Sequence, residues 1–342
     1  MPITVPSNAI QIDEINAKVI FDKAKIVENF PKYSVPYMQW KEEKNLQPVY
    51  RIQTSFCKFN NNNGRIKMEV VSYNQKYGTL LDNDDDAQKI IYDFLDKSDP
   101  KANSELKKLL KEEGQIEPAI ITADGKLING NRRKYALESL YKDEHDAKFQ
   151  YMYVVILPGS GAEMPTRESL ALLEAKLQMV TRGESDYTGI NKVLTYYKNE
   201  QEAGIKVETL LLADISFSSL NQTDRKKAFT LWRKENFQPL ELMQEYLEWD
   251  HTPEQYNLQS ARWSSFQDAS SKIMSILNSD KNKVQYGIQE QELGEIKVAI
   301  FNLIKLKPTE EVKLVHQNRD LMREFPQWIK NADTKPDILK IG

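Results

Sequence analysis

Gly114-Gln-Ile-Glu-Pro-Ala-Ile-Ile121, the Asp124-Gly125 pair and Ile128-Asn-Gly-Asn-Arg-Arg-Lys-Tyr-Ala136 are the stretch whose reading decides the fold. Residues 118–122 read as a short buried strand, Asp124-Gly125 as a turn, and Leu127-Ile128 as a second strand. Gly130 then carries the chain into a helix over Arg133–Tyr141, with Ala136, Leu137 and Leu140 on one face. Upstream, Ser104–Glu113 reads as a helix with Ser104 as N-cap and Gly114 as its stop. Downstream, Tyr151–Leu157 reads as a strand.

The charge at the start of the 133–141 helix is reversed. Arg132, Arg133 and Lys134 sit where the helix dipole favours anions, and each cation there opposes the dipole by about 0.3–1 kcal/mol. A glycine in a strand-to-helix turn lets a ligand approach the backbone and leaves N–H groups free at the helix start. A phosphate between those amides and the arginine forks would account for the cations. A solvated basic helix end accounts for them equally well.

The order of these elements resembles the ParB/sulfiredoxin superfamily: a helix, a Gly-x-x-x-Pro-hydrophobic strand, a turn, and a Gly-Glu-Arg-Arg or Gly-Cys-His-Arg box opening a helix. The resemblance covers roughly residues 68–200 and is carried by 114–137. It implies a small mixed-sheet α+β domain that binds a nucleoside triphosphate with Mg2+, with Gly130, Asn131, Arg132 and Arg133 at the phosphates. Asn131 stands where sulfiredoxins need a cysteine, so sulfinic acid reduction is not expected. It also replaces the ParB glutamate, and Tyr135 replaces the third ParB arginine, which weakens the case for CTP-specific clamp behaviour.

A second ParB box, Glu-Asn-x-Gln-Arg, has its counterpart in Leu173-Glu-Ala-Lys-Leu-Gln178, which would make Glu174 and Gln178 metal or phosphate ligands. Met179 replaces the final arginine, and an ordinary helix with Leu170, Leu173 and Leu177 in the core reads as well. Phosphoryl transfer requires a carboxylate or metal to orient the nucleophile. Glu117 and Glu69 are the catalytic candidates, while Asp124 fits the turn itself. The relatives leave three activities open: a nucleoside triphosphatase or other phosphoryl-transfer enzyme, a non-enzymatic DNA-binding partition-type protein, and a ParB-like nuclease.

Composition narrows these. Forty-seven Lys+Arg against 50 Asp+Glu give a net charge of −3, so any DNA contact needs a local basic patch. Asp224-Arg-Lys-Lys227, followed by Trp232, Arg233 and Lys234, is the best such patch, and a solvated helix face is its plain alternative. Residues 187–212 match a helix-turn-helix faintly, but Leu210-Leu-Leu-Ala-Asp214 is apolar and acidic where a groove-reading helix would be basic. Cys57 is the only cysteine, which excludes an intrachain disulfide and fits a reducing cytoplasm. The three histidines lie far apart, without zinc-site spacing. No signal-peptide pattern or bilayer-length apolar run is present, so no membrane partner is expected.

The remaining chain divides simply. Val49–Phe59 and Arg65–Tyr73 alternate like strands, and Asn60-Asn-Asn-Asn-Gly64 between them reads as a hairpin turn, with Cys57 packed inside the first strand. Leu81-Asp-Asn-Asp-Asp-Asp86 precedes a helix over Ala87–Leu95 and lacks the glycine and glutamate of a calcium loop. After Thr166 the pattern is helical: 168–179, 187–203, 223–235, 239–249, 261–278 and 290–306. The expected organisation is an α+β domain over 1–160 with its motif core at 114–141, an all-helical domain over 166–325, and an irregular tail over 326–342. A homodimer formed through the helical domain is one arrangement this leaves open.

Overall fold

A computed structural model of the chain describes residues 5–40, 44–180, 189–306 and 318–341. The fold is mixed α+β: a small mixed sheet with a largely helical remainder. The backbone divides into two compact units, Met1–Asn221 and Gln222–Gly342.

In the first unit, α1 (Glu14–Lys23) leads to β1 (Lys25–Ile26), then to a two-stranded ribbon of β2 (Tyr33–Ser34) and β3 (Leu46–Gln47), and to β4 (Tyr50–Gln53). Helices α2 (Lys67–Tyr77), α3 (Asp85–Ser98) and α4 (Pro100–Glu112) precede β5 (Ala119–Ile121), β6 (Leu127–Asn129), α5 (Asn131–Glu144) and β7 (Tyr151–Ile156). The five-stranded sheet runs β1-β4-β7-β5-β6, with β5 and β7 parallel and the other neighbours antiparallel.

Both faces of the sheet are covered, which explains the unbroken apolar run at 119–121. Ala119 and Ile121 pack on one face with Leu127, Tyr135 and Ala136. Ile120 and Ile128 pack on the other with Leu173 and Leu177 of α6 (Arg167–Val180). Helix α6, read from sequence as opening a separate helical domain, thus helps bury the sheet of the first unit. Helices α7 (Gly189–Ala203), α8 (Val207–Leu211) and α9 (Ile215–Ser218) complete this unit.

The structure corrects the hairpin expected over 49–73. Only Tyr50–Gln53 is a strand, and Arg65–Tyr73 begins a helix instead. Ile66 and Val70 alternate with Met68 as in a strand, yet they also stand four apart, and both are buried against the sheet. The asparagine run caps rather than turns: the Asn63 side chain accepts the Arg65 N–H at 3.1 Å just ahead of α2. Cys57 follows a short 3-10 turn rather than lying in a strand, and burial pushes its thiol up to about 12. Helix α4 starts earlier than expected, with Asp99 in place of Ser104 as the N-cap and Pro100 in the first turn.

In the second unit, α10 (Gln222–Trp249) is one helix through Pro239, where the sequence reads as two. Proline there removes a helical hydrogen bond, and the buried Phe237, Leu240, Met243 and Leu247 hold the segment together across it. Helices α11 (Trp263–Ala269), α12 (Ser275–Leu277), α13 (Asp280–Gln285), α14 (Leu293–Lys305), α15 (Asn318–Lys330) and α16 (Lys335–Ile341) follow. Tyr246, Phe266 and Phe301 form an edge-to-face cluster at their core. The segment after Pro326, read as irregular, is therefore mostly helical. Leu321, Met322, Phe325 and Ile329 bury one face of α15, and that packing overrides the proline. No described helix is long and apolar enough to cross a membrane.

Candidate functional site

The corner between β5 and α5 is built from local rules. Thr122 N–H donates to the Lys126 carbonyl at 2.9 Å and closes the turn. Asp124 accepts the Thr122 hydroxyl and, at 3.2 Å, the backbone N–H of Asp13, so its carboxylate serves the turn. Gly130 precedes α5 with φ +97°, and a Cβ there would stand 2.5 Å from the Ala119 Cβ. Strand β5 lies directly behind this glycine, so packing alone requires it.

Of the residues expected at the phosphates, Asn131, Arg132 and Arg133 are buried, and each has protein partners. Asn131 Oδ1 accepts the backbone N–H of Asn60 at 2.9 Å. Arg132 Nε donates to Asn103 Oδ1 at 3.1 Å, and Asn103 Nδ2 donates to the Leu95 carbonyl at 2.8 Å. Arg132 is thereby fastened to the junction of α3 and α4. Arg133 reaches Glu117 at 3.5 Å, while its second terminal nitrogen is buried without a hydrogen-bond partner. Lys134 pairs with Glu138 at 2.6 Å and lies 3.8 Å from the centre of the Phe59 ring. These contacts give the reversed charge of the first turn an internal explanation. Tyr135, where ParB proteins carry an arginine, is buried and donates to Asp96.

The candidate carboxylates lie on different elements. Glu117 is half exposed and faces Arg133. Glu69 lies on α2 with one carboxyl oxygen buried and unpartnered, and burial raises its pKa. Glu174 instead lines a cleft, where its Oε1 accepts the Gly64 N–H at 3.4 Å. Gln178 follows one turn later on α6, and its side chain lies outside the described residues. Among the described residues no three His, Cys, Asp or Glu side chains converge as a metal site.

That cleft, of about 510 Å³, was not legible as a motif. It opens where the Asn60–Asn63 loop, the first turn of α2, the 122–126 turn, α6 and α7 meet. Lys67, Lys126, Arg167 and Lys198 line it, together with Asn60, Asn62 and the acidic residues Asp124, Glu174 and Glu202. Residues 8–11 form a further wall, held by an Ala9–Thr166 bridge and by Ile10 N–H donating to the Pro165 carbonyl at 2.8 Å. Asn8, Arg167 and Ala203 also line a smaller hollow of about 350 Å³ beside Lys206.

Several of these cations are partly neutralised. Lys126 pairs with Asp82, and Lys198 lies 3.5 Å from Glu202. Lys67 differs. It is only 8% exposed, and among the described residues its one hydrogen bond is to Asn62 Oδ1 at 3.3 Å. Among the described residues no carboxylate comes within ion-pair distance of it. Burial pushes its pKa down; Glu202 and Glu174 oppose that shift, and Lys198 and Lys126 add to it. The backbone around it is firmly set by Asn191 of α7, which accepts from Met68 N–H at 2.9 Å and donates to the Arg65 carbonyl at 2.8 Å.

No family model, curated protein or solved structure matches the chain.

Proposed function

We propose that the first unit is a ParB/sulfiredoxin-like nucleotide-binding domain whose ligand phosphates occupy the cleft headed by Lys67. The observation that carries this reading is Lys67, which is buried, lines a cleft with three other cations and, among the described residues, has no carboxylate within ion-pair distance. Burying an unpaired charge is costly, and an anion beside it removes that cost. The side-chain amides of Asn60 and Asn62 supply neutral donors, and the smaller hollow beyond Arg167 gives room for a nucleoside. Glu174 is the residue of the cleft suited to contact a phosphate-bound Mg2+.

In this reading the Gly-Asn-Arg-Arg corner supports the cleft: Asn131 fixes the backbone of Asn60 at its rim. The test is a thermal-shift panel of ATP, CTP and GTP with magnesium, on the wild type and on Lys67→Met. A nucleotide at one hundred times its Kd stabilises by about 2.7 kcal/mol, a readily measured rise in Tm. That rise is expected for the wild type and its loss for Lys67→Met. No response to any nucleotide overturns the reading, and product analysis on the responding nucleotide separates turnover from simple binding.

A second reading, contact with nucleic acid by the second unit, is favoured by one observation. Lys226, Lys227 and Lys234 are all exposed on α10, although Lys227 lies 3.8 Å from Asp224. Salt-sensitive DNA binding without any nucleotide response would select it.

A further inference from the structure

We infer that Lys67 is an imine-forming nucleophile and that the cleft captures a phosphate-bearing aldehyde or ketone. The inference rests on the anion-binding reading of the same cleft and adds a covalent step to it.

The geometry makes Lys67 unlike an ordinary lysine. It is the first residue of α2, where the helix dipole opposes a positive charge. It is buried and, among the described residues, holds a single 3.3 Å hydrogen bond. Burial, the largest effect on it, favours the neutral amine, whose lone pair is nucleophilic; Glu202 and Glu174 oppose that shift, and Lys198 and Lys126 add to it. The amine faces a cleft of about 510 Å³, large enough for a small ligand. Arg167 and Lys198 line the same space and can hold the ligand's phosphate.

The step balances without an added oxidant or reductant. The Lys67 Nζ lone pair attacks the carbonyl carbon, and the carbonyl π pair moves to oxygen, giving a carbinolamine once a proton passes from nitrogen to oxygen. The hydroxyl then leaves as water, nitrogen forms the C=N double bond, and its second proton is released. Glu202 lines the cleft and can accept and return these protons.

The test uses pyridoxal 5′-phosphate as the probe, followed by borohydride reduction and peptide mapping by mass spectrometry. The expected result is one dominant adduct at Lys67, blocked by inorganic phosphate and slower to form with pyridoxal lacking the phosphate. Lys67→Arg, which keeps the charge, and Lys67→Met, which removes it, should both lose that adduct. Labelling spread over exposed lysines with Lys67 unmodified overturns the inference, as does undiminished labelling of the folded variants. Nucleotide stabilisation without a Lys67 adduct sinks the imine alone. A phosphate-blocked adduct without any nucleotide response sinks the nucleotide reading and leaves the phosphorylated carbonyl as the ligand.

Discussion

The side-chain oxygen of Asn131 accepts the backbone N–H of Asn60 at 2.9 Å, and this bond joins the start of α5 to the rim of the Lys67 cleft. Both residues are about 5% exposed, so water does not replace the bond when it is lost. Asn131→Ala leaves a buried N–H without an acceptor, at a cost of about 1–3 kcal/mol. The expected outcome is a lower urea midpoint together with weaker anion binding. A variant with unchanged stability would show that the Asn60 amide finds another acceptor.

Arg132 and Arg133 should matter before any ligand is present. Arg132→Ala removes the partner of a buried amide oxygen, so a loss of about 1–3 kcal/mol is expected in urea unfolding of the unliganded chain. Arg133→Ala should cost less, because its partner Glu117 is half exposed and 3.5 Å away. If both variants are as stable as the wild type, these cations exist for a ligand and the internal explanation fails.

Gly130→Ala tests the corner itself. Its φ of +97° strains any side chain by about 1–3 kcal/mol, and the new methyl would meet Ala119. Gly114→Ala is the matched control, since φ is also positive there but nothing lies within 4 Å of the added carbon. Gly130→Ala should therefore lower the unfolding midpoint more than Gly114→Ala does.

Glu69 offers a pH signature. Burial raises its pKa above the ordinary 4.5, so the folded chain holds this proton more tightly than the unfolded chain. Stability then falls as pH rises from the unfolded value through the folded one. Glu69→Gln removes the buried charge and should raise the urea midpoint at neutral pH, with the two proteins converging in acid. A difference that persists unchanged in acid would point to packing rather than charge.

Lys67 has the opposite sign. Its pKa is pushed below the ordinary 10.5, so the unfolded chain binds this proton more tightly, and the unliganded protein gains stability as pH rises through the folded value. A free phosphate lodged beside Lys67 restores the proton. Calorimetry in buffers of different ionisation heat should show proton uptake on phosphate binding, growing with pH through that range and absent in Lys67→Met. Binding without proton uptake at any pH would mean that Lys67 is already charged when the cleft is empty.

The β5-turn-β6-α5 corner was legible because its signals are local: an apolar triplet, an Asp-Gly turn, and a glycine ahead of a periodic run. The hairpin over 49–73 was misread because Ile66, Met68 and Val70 satisfy a strand period while Ile66 and Val70 also satisfy a helical one. Asn63, as a side-chain cap, was the signal that separated the two. The Lys67 cleft could not be read, since Lys67, Lys126, Arg167 and Lys198 come from four separate elements and share no spacing. Burial also reversed the sense of the most visible feature. Sequence shows three cations in one helical turn, but it does not show that Asn103, Glu117 and Glu138 stand beside them.

The pairing of Ala9 with Thr166 has a practical consequence. Residues 8–11 complete one side of the cleft. A shortened chain starting after Gln11, or a fusion joined close to Asn8, would alter ligand affinity while leaving the sheet and its helices intact. A protein tagged ahead of Asn8 that binds nothing should therefore be retested with its tag removed.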